Sequence, residues 1–389
     1  MGCMSLWRCS RSPFVPWRRG CRSRQGGRPQ SDWRSGERAQ HRQGRRGPAN
    51  TQADFRYLAL VLLLAAGAAG QESGARTYVA RDSLAPKPGA TEEARNLLRL
   101  LAWQPTKFEV SVRPEQGSWT GGIVTFPSPK PQGNKRADTV FMEWYVGKGR
   151  RLLKPAPAVL VLHILSGRMV VARAIARGLA NQGIHAFVLH LPDYGRRENR
   201  ARRGDASLFP HRMVQGVADV RRGRDAIAAL PCVDAARISV QGTSLGSLAA
   251  SVAAGIDGAF VNVFLALAGG DLVSVLDKGH KSAAALKRQL QRAHVTREAL
   301  AQVVARLEPL TLADRLDPQR TWLYSGRSDR VVPKENAIKL ARAVGLDAEH
   351  HLWVNGNHYT SALHAGGILR HMVEQVHGRP APKTAAEKR

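Results

Sequence analysis

The chain has 389 residues, 43% of them hydrophobic, enough for one large globular domain or two small ones. It carries 59 Lys+Arg against 30 Asp+Glu, which raises nucleic acid as a partner. The arginines are scattered along the body and no nucleic-acid module pattern occurs, so no nucleic-acid partner is expected.

Residues 1–70 hold thirteen arginines, no lysine and three acids. Their first part, 1–56, is read as a disordered leader or as sequence upstream of the true start, since Arg, Gly, Ser and Pro bury no core. "YLALVLLLAAGAAG" (57–70) is an uncharged apolar run of fourteen residues after Arg56, short of the roughly twenty that span a bilayer. It ends in the small residues Ala68-Ala69-Gly70, the layout of a secretory signal. Export to the periplasm or medium is expected, with no stable membrane insertion after cleavage. The alternative is an uncleaved apolar anchor. Cys3, Cys9 and Cys21 lie in the leader, so Cys232 is the body's one thiol. No internal disulfide, zinc spacing, metal or cofactor is implied.

Residues 71–106 are read as an N-terminal helical extension. In "TEEARNLLRLLAW" (91–103), Thr91 suits an N-cap, the glutamates suit the positive helix end, and the leucines recur at helical spacing. "KFEVSVRP", "GGIVTFPSP" and "DTVFMEWYV" alternate between Gly and Pro breaks, which predicts antiparallel strands at a sheet edge. From Pro157 the pattern changes to buried runs. "AVLVLHIL" (158–165), "HAFVLHLP" (185–192), "ISVQG" (238–242), "AFVNVFLALAG" (259–269), "TWLYSG" (321–326) and "HHLWVNG" (350–356) alternate with helical stretches. Those helices fall near 169–182, 211–230, from 244, 334–344 and 361–376. The expected class is α/β: a doubly wound, mostly parallel sheet covered by helices on both faces. The α/β body is placed at 107–378, and a basic disordered tail at 379–389. A segment of about 272–318 is too long for a plain crossover. It reads as a helical insertion, either a lid over the site or ordinary crossover helices.

"VQGTSLGSLAAS" (240–251) carries Gly-x-Ser-x-Gly. The pattern alone is weak, expected by chance in roughly one chain in ten of this length. Its context is sharper, since a buried-strand run precedes it and a helix former follows. A turn this tight strains the central residue, and Gly242 and Gly246 remove side chains that would clash. Ser244 then stands at the carboxyl end of the sheet, and the Leu245 N–H, at the helix start, can bind a developing oxyanion.

A serine needs a base, and the base an orienting acid. On a strand–turn–helix architecture these follow in the order Ser, acid, His at later strand ends. "YSGRSDRVVP" puts Asp329 in the loop after one strand, and "WVNGNHYTS" puts His358 in the loop after the last. His350 and His351 begin a strand, while His364, His371 and His377 sit on the last helix. Asp271 is the reserve acid.

Together these features resemble the α/β-hydrolase superfamily over roughly 105–378, nearest to the dienelactone hydrolase and acetyl xylan esterase-like bacterial serine hydrolases. The resemblance implies Ser244 as nucleophile, Asp329 as acid and His358 as base. Such enzymes often carry His-Gly after the early strand. This chain has "HILSGRM", with Ile164 in the glycine's place and Gly167 displaced, and alignment on His163 makes the Leu165 N–H the second oxyanion donor. His163 itself reads as a packed structural histidine.

"DYGRRENRARRGD" puts Arg196, Arg197, Arg200, Arg202 and Arg203 after the 185–192 strand. This is either a solvated loop or a cationic substrate rim, with Arg196, Arg197 and Arg200 as its candidates. The function expected is that of a serine hydrolase of carboxylesterase type, forming an acyl-enzyme on Ser244 from a small-molecule or saccharide ester. A non-catalytic binding protein on the same fold and a peptidase are the alternatives. The residues leave the acyl and alcohol groups and the oligomeric state open.

Overall fold

Alternating strands build the first part of the sheet and continuously apolar strands the rest. The computed structural model describes residues 74–378 apart from 116–120, 149–153, 166–168, 199–207, 293–295, 297–300 and 302–303. The leader, the 57–70 run, Gly167, Arg200, Arg202, Arg203 and the 379–389 tail lie outside the described residues. Among the described residues no helix is long and apolar enough to cross a membrane.

Strands β1 (Arg76–Arg81), β2 (Lys107–Arg113), β3 (Gly122–Pro127) and β4 (Thr139–Tyr145) pair in antiparallel succession. In β2, Phe108, Val110 and Val112 are buried while Lys107, Glu109 and Arg113 are exposed. Period-two alternation therefore fixes which face meets the core.

The helical extension expected over 71–106 needs correcting. Among its described residues only α1 (Glu92–Leu101) is helical, with the Thr91 side chain accepting the Ala94 N–H at 3.1 Å. Such a cap is worth about 1 kcal/mol. Residues 76–81 form the edge strand instead, registered on β2 from Arg76 opposite Val112 to Arg81 opposite Lys107. Pairing satisfies the outer backbone edge of β2, and that gain does not depend on the polarity of "RTYVAR".

The later strands are β5 (Ala156–Leu162), β6 (His185–Leu189), β7 (Val233–Thr243), β8 (Val263–Ala266), β9 (Thr321–Gly326) and β10 (His351–Val354). The sheet order is β1-β2-β3-β4-β6-β5-β7-β8-β9-β10. β4 meets β6 antiparallel, and every neighbouring pair from β6 to β10 is parallel. β5 and β6 are wholly buried, as strands covered on both faces must be. The connections run outward from β5 to β6 and back to β7 on its other side, so a crevice opens at the carboxyl ends of β5 and β7.

After α1, the longer helices among the described residues are α2 (Val170–Asn181), α3 (Phe209–Ala228), α4 (Leu245–Asp257), α5 (Leu272–Lys278), α6 (Ser282–Arg292), α7 (Lys334–Val344) and α8 (Ala365–Gly378). Two apolar cores result. One packs α1, α3, α4 and α7 against Leu160, Leu162, Val240 and Leu265. The other packs α2 and α8 against Val159, Val161, Phe264 and Trp322. Adjacent residues of β5 thus feed opposite cores.

Buried ion pairs brace this frame, and one of them ties the antiparallel part to it. On α3, Arg222 meets Asp82, just past β1, at 2.6 Å. Arg221 bridges Asp225 at 2.9 Å and Asp257, the last residue of α4, at 2.8 Å. Asp219 takes Arg197 at 2.7 Å, and neither side chain is solvent-exposed.

Candidate active site

Three strand ends meet above the crevice. Ser244 joins β7 to α4 with φ 53° and ψ −114°, a left-handed conformation that costs a non-glycine residue about 1–3 kcal/mol. Neighbouring backbone bonds hold it there. The Ser244 N–H donates to Ala266 O at 2.8 Å, and the buried Ser247 hydroxyl spans Gly242 O and Ala266 O, each at 2.8 Å. The flanking glycines are sterically required. A Cβ at Gly242 would lie 2.3 Å from Gly246 O, and one at Gly246 would lie 2.6 Å from Leu162 O. That second close approach sets the start of α4 against the end of β5, where Leu165 emerges.

Asp329 follows β9. Its Oδ1 accepts the N–H groups of Val331 and Val332 at 2.8 and 3.0 Å, which leaves Oδ2 for His358 Nδ1 at 2.7 Å. His358 Nε2 lies 3.0 Å from Ser244 Oγ. With Nδ1 donating to the carboxylate, Nε2 presents a lone pair to the serine hydroxyl. Side-chain exposure is only 8% at His358 and 4% at Asp329, so water competes little for this bond. The two loops are locked together: the Arg327 and Ser328 N–H groups donate to Val354 O and Gly356 O, each at 3.0 Å. Asn357 Oδ1 accepts from Tyr359 N and Thr360 N, which turns the chain at His358.

The Leu245 N–H is the first of α4, where no intrahelical acceptor exists, and residues Leu245 and Leu165 both line the cleft beside Ser244. The loop carrying Leu165 is pinned by His163, 1% exposed, whose Nδ1 bonds Ile164 O at 2.8 Å and whose Nε2 accepts the Leu191 N–H at 3.2 Å. Burial lowers the His163 pKa to about 4, so the ring is neutral near pH 7. Beneath it, His190 bonds Glu143 at 3.0 Å, and Arg173 makes a multidentate contact with the same carboxylate. Burial pushes the Glu143 pKa up, but the His190 and Arg173 hydrogen bonds outweigh it and hold the carboxyl well below the usual range. Burial also lowers the His190 pKa, and Arg173 is the cation that balances Glu143.

Asp271 is not brought to His358. It caps α5 by accepting the Ser274 N–H and pairs with Lys339, which lowers its pKa. The candidate rim needs a correction too. Arg197 is fully buried, bonded to Asp219, His190 O and Ala137 O, because an uncompensated acid at Asp219 would be costly inside the fold. Arg196 pairs with Glu115 and donates its backbone N–H to His190 Nδ1. Arg200 lies outside the described residues.

Next to Ser244, a cleft encloses about 850 Å³ of empty space, part of it open to solvent. Leu248 of α4, Leu272, Val275 and Leu276 of α5, and Leu286 of α6 line it. The segment 272–318 therefore supplies a wall of this cleft. Glu308 fastens that wall by accepting the N–H groups of Asp271, Leu272 and Leu310. Burial raises the Glu308 pKa against these bonds. Sequence reading passed over Glu308, although Pro309 after it is a helix-start signal. Among the described residues no cluster of His, Cys, Asp and Glu could hold a metal ion.

No family model and no curated protein matches the chain. Among solved structures it is similar to an acetyl xylan esterase from Paenibacillus sp. R4, at 18% identity and TM-score 0.59 over 75% of this chain and 97% of that one. It is also similar to acetyl xylan esterase 1 from Thermoanaerobacterium sp. JW/SL YS485, at 14% identity and TM-score 0.50 over 74% of this chain and 96% of that one.

Proposed function

Because the chain has the α/β-hydrolase fold, we propose that it is a serine hydrolase that cleaves carboxylic esters through an acyl-enzyme on Ser244. One observation carries this reading: Asp329, His358 and Ser244 form an unbroken hydrogen-bonded series, with the serine held in a strained turn beside an apolar cleft. In this mechanism His358 Nε2 takes the Ser244 proton as Oγ attacks the ester carbonyl. Asp329 orients the ring and stabilises the imidazolium. The Leu245 and Leu165 N–H groups bind the oxyanion, and His358 returns the proton to the leaving alcohol. Water then repeats the sequence on the acyl-enzyme. The leucine-rich cleft favours an apolar acyl chain of several carbons over a sugar, since its walls offer a hydroxylated ligand few partners.

The test is hydrolysis of p-nitrophenyl esters from acetyl to octanoyl. The expected result is kcat/KM rising with acyl length, with Ser244→Ala reducing turnover by at least about 10⁴-fold. Near-normal turnover by that variant overturns the reading. Export through the 57–70 run belongs to the same proposal: exported protein should begin near Gln71, and protein intact from Met1 in the cytosol contradicts it.

A further inference from the structure

His358 borders a second cavity, of about 870 Å³ and partly open, which Ser244 does not line. It lies between the sheet and helices α2 and α8. His358, Ile164 and Leu267 line it from the serine's side, and Leu267 also borders the first cleft. The deeper walls are apolar, among them Ile175 of α2, Ala266 of β8 and Met372 of α8.

One polar side chain in this box is half satisfied. Gln241 is 1% exposed, and its Nε2 donates to Thr243 Oγ1 at 2.9 Å. Its Oε1 is buried with no hydrogen-bond partner among the described residues. Whichever way the amide is turned, Thr243 serves one end and the other stays open. Two other buried polar groups lining the cavity are engaged, Tyr324 OH with His371 Nδ1 at 2.8 Å and Ser361 Oγ with Asn357 O at 2.7 Å, while Tyr359 is half exposed to solvent. An open amide end in apolar surroundings is costly. Gln241 and Thr243 are two residues apart on β7, so both face this cavity. Gln241 lies three positions before Ser244, which at the strand rise puts its backbone roughly 10 Å below the reacting serine.

We propose that this cavity is the alcohol-side subsite of the Ser244 site. It would take an aryl-sized apolar alcohol bearing a hydroxyl remote from the ester oxygen, with Gln241 accepting that hydroxyl. The proposal rests on the hydrolase reading above. When the acyl C–O bond breaks, the departing oxygen takes its proton from His358 Nε2, so the alcohol leaves along the wall that His358 provides. The acyl carbonyl is held on the other side, where Leu245 and Leu165 line the first cleft.

Two butanoate esters test it, one of 2-phenylethanol and one of 2-(4-hydroxyphenyl)ethanol, which differ by a single remote hydroxyl. The hydroxylated ester should show a kcat/KM about five- to tenfold higher, and Gln241→Leu should bring the ratio of the two close to one. A ratio near one in the unaltered protein overturns the subsite, as does a ratio that survives Gln241→Leu. Calorimetry with free 2-(4-hydroxyphenyl)ethanol and Ser244→Ala protein reads the same contact without turnover. Binding should weaken by a similar factor when Gln241→Leu is added, and unchanged or absent binding contradicts the proposal. If no ester is cleaved at all, the hydrolase reading fails by itself and the binding arm still decides the pocket. Ile175→Phe, which fills the cavity from the opposite wall, gives a second variant. It should weaken both free alcohols alike, and unaltered binding of either counts against the subsite.

Discussion

Helix α3 and the carboxyl edge of the sheet handle polar groups in opposite ways. Along α3 the buried charges meet opposite charges: Arg222 with Asp82, Arg221 with Asp225 and Asp257, Asp219 with Arg197. At the carboxyl ends of the strands Asp329, His358 and Ser244 bond in single file, with Ser244 lining one apolar cavity and His358 the other. The comparison separates arginines that lock the frame from the groups proposed to do chemistry. Of the loop's described arginines, Arg197 belongs to the buried frame, which is why it makes no substrate rim.

The largest expected effect lies at the edge. Asp329→Asn keeps an acceptor for the Val331 and Val332 N–H groups but loses the charge beside His358, so kcat should fall by about 10⁴ with little change in melting temperature. Steady-state kinetics and a thermal melt on the same sample check both halves. A loss of fold with the loss of rate would erase the distinction between the two regions.

The converse change comes next. Arg222→Ala leaves Asp82 buried without its cation, and should cost about 3–5 kcal/mol of stability while kcat per folded molecule is retained. Urea midpoints measure the first quantity, and active-site titration the second. The double replacement Asp82→Leu with Arg222→Met should recover most of the loss, since a well-packed apolar pair often matches a buried ion pair.

A smaller effect is set by pH. The folded His163 pKa is about 4, against 6.5 ordinarily. The unfolded chain therefore binds the extra proton between those values, and stability is fully present above about pH 6.5 and declines toward pH 4. The shift corresponds to about 3 kcal/mol at most. His163→Gln should flatten the acid side of the melting-temperature profile between pH 6.5 and 4. A profile parallel to that of the unaltered protein would deny His163 its place in pinning the Leu165 loop.

Much of this arrangement was legible in the sequence because two patterns differ physically. Strands buried on both faces read as continuous apolar runs, and β5 and β6 fell where such runs stood. The loops of Ser244 and Asp329 were legible because each follows a buried strand directly, and that of His358 because it follows the last strand-like run, although β10 is only half-buried. β1 was not, because "RTYVAR" has little apolar content and owes its conformation to the β2 edge. The partners of Arg196 and Arg197 were hidden for a related reason. Glu115 and Asp219 lie 81 and 22 residues away along the chain, and a local count of acids cannot see them. Gln241 reads as one more residue of a buried strand until the register shows which face it shares with Thr243.

The central claim is that Ser244 is an activated nucleophile. Its most direct test is treatment with a fluorophosphonate probe, followed by intact mass and peptide mapping. The account predicts one adduct per chain, on Ser244, absent from Ser244→Ala and formed far more slowly by Asp329→Asn. An unlabelled protein, or a label mapped to any other residue, would contradict it.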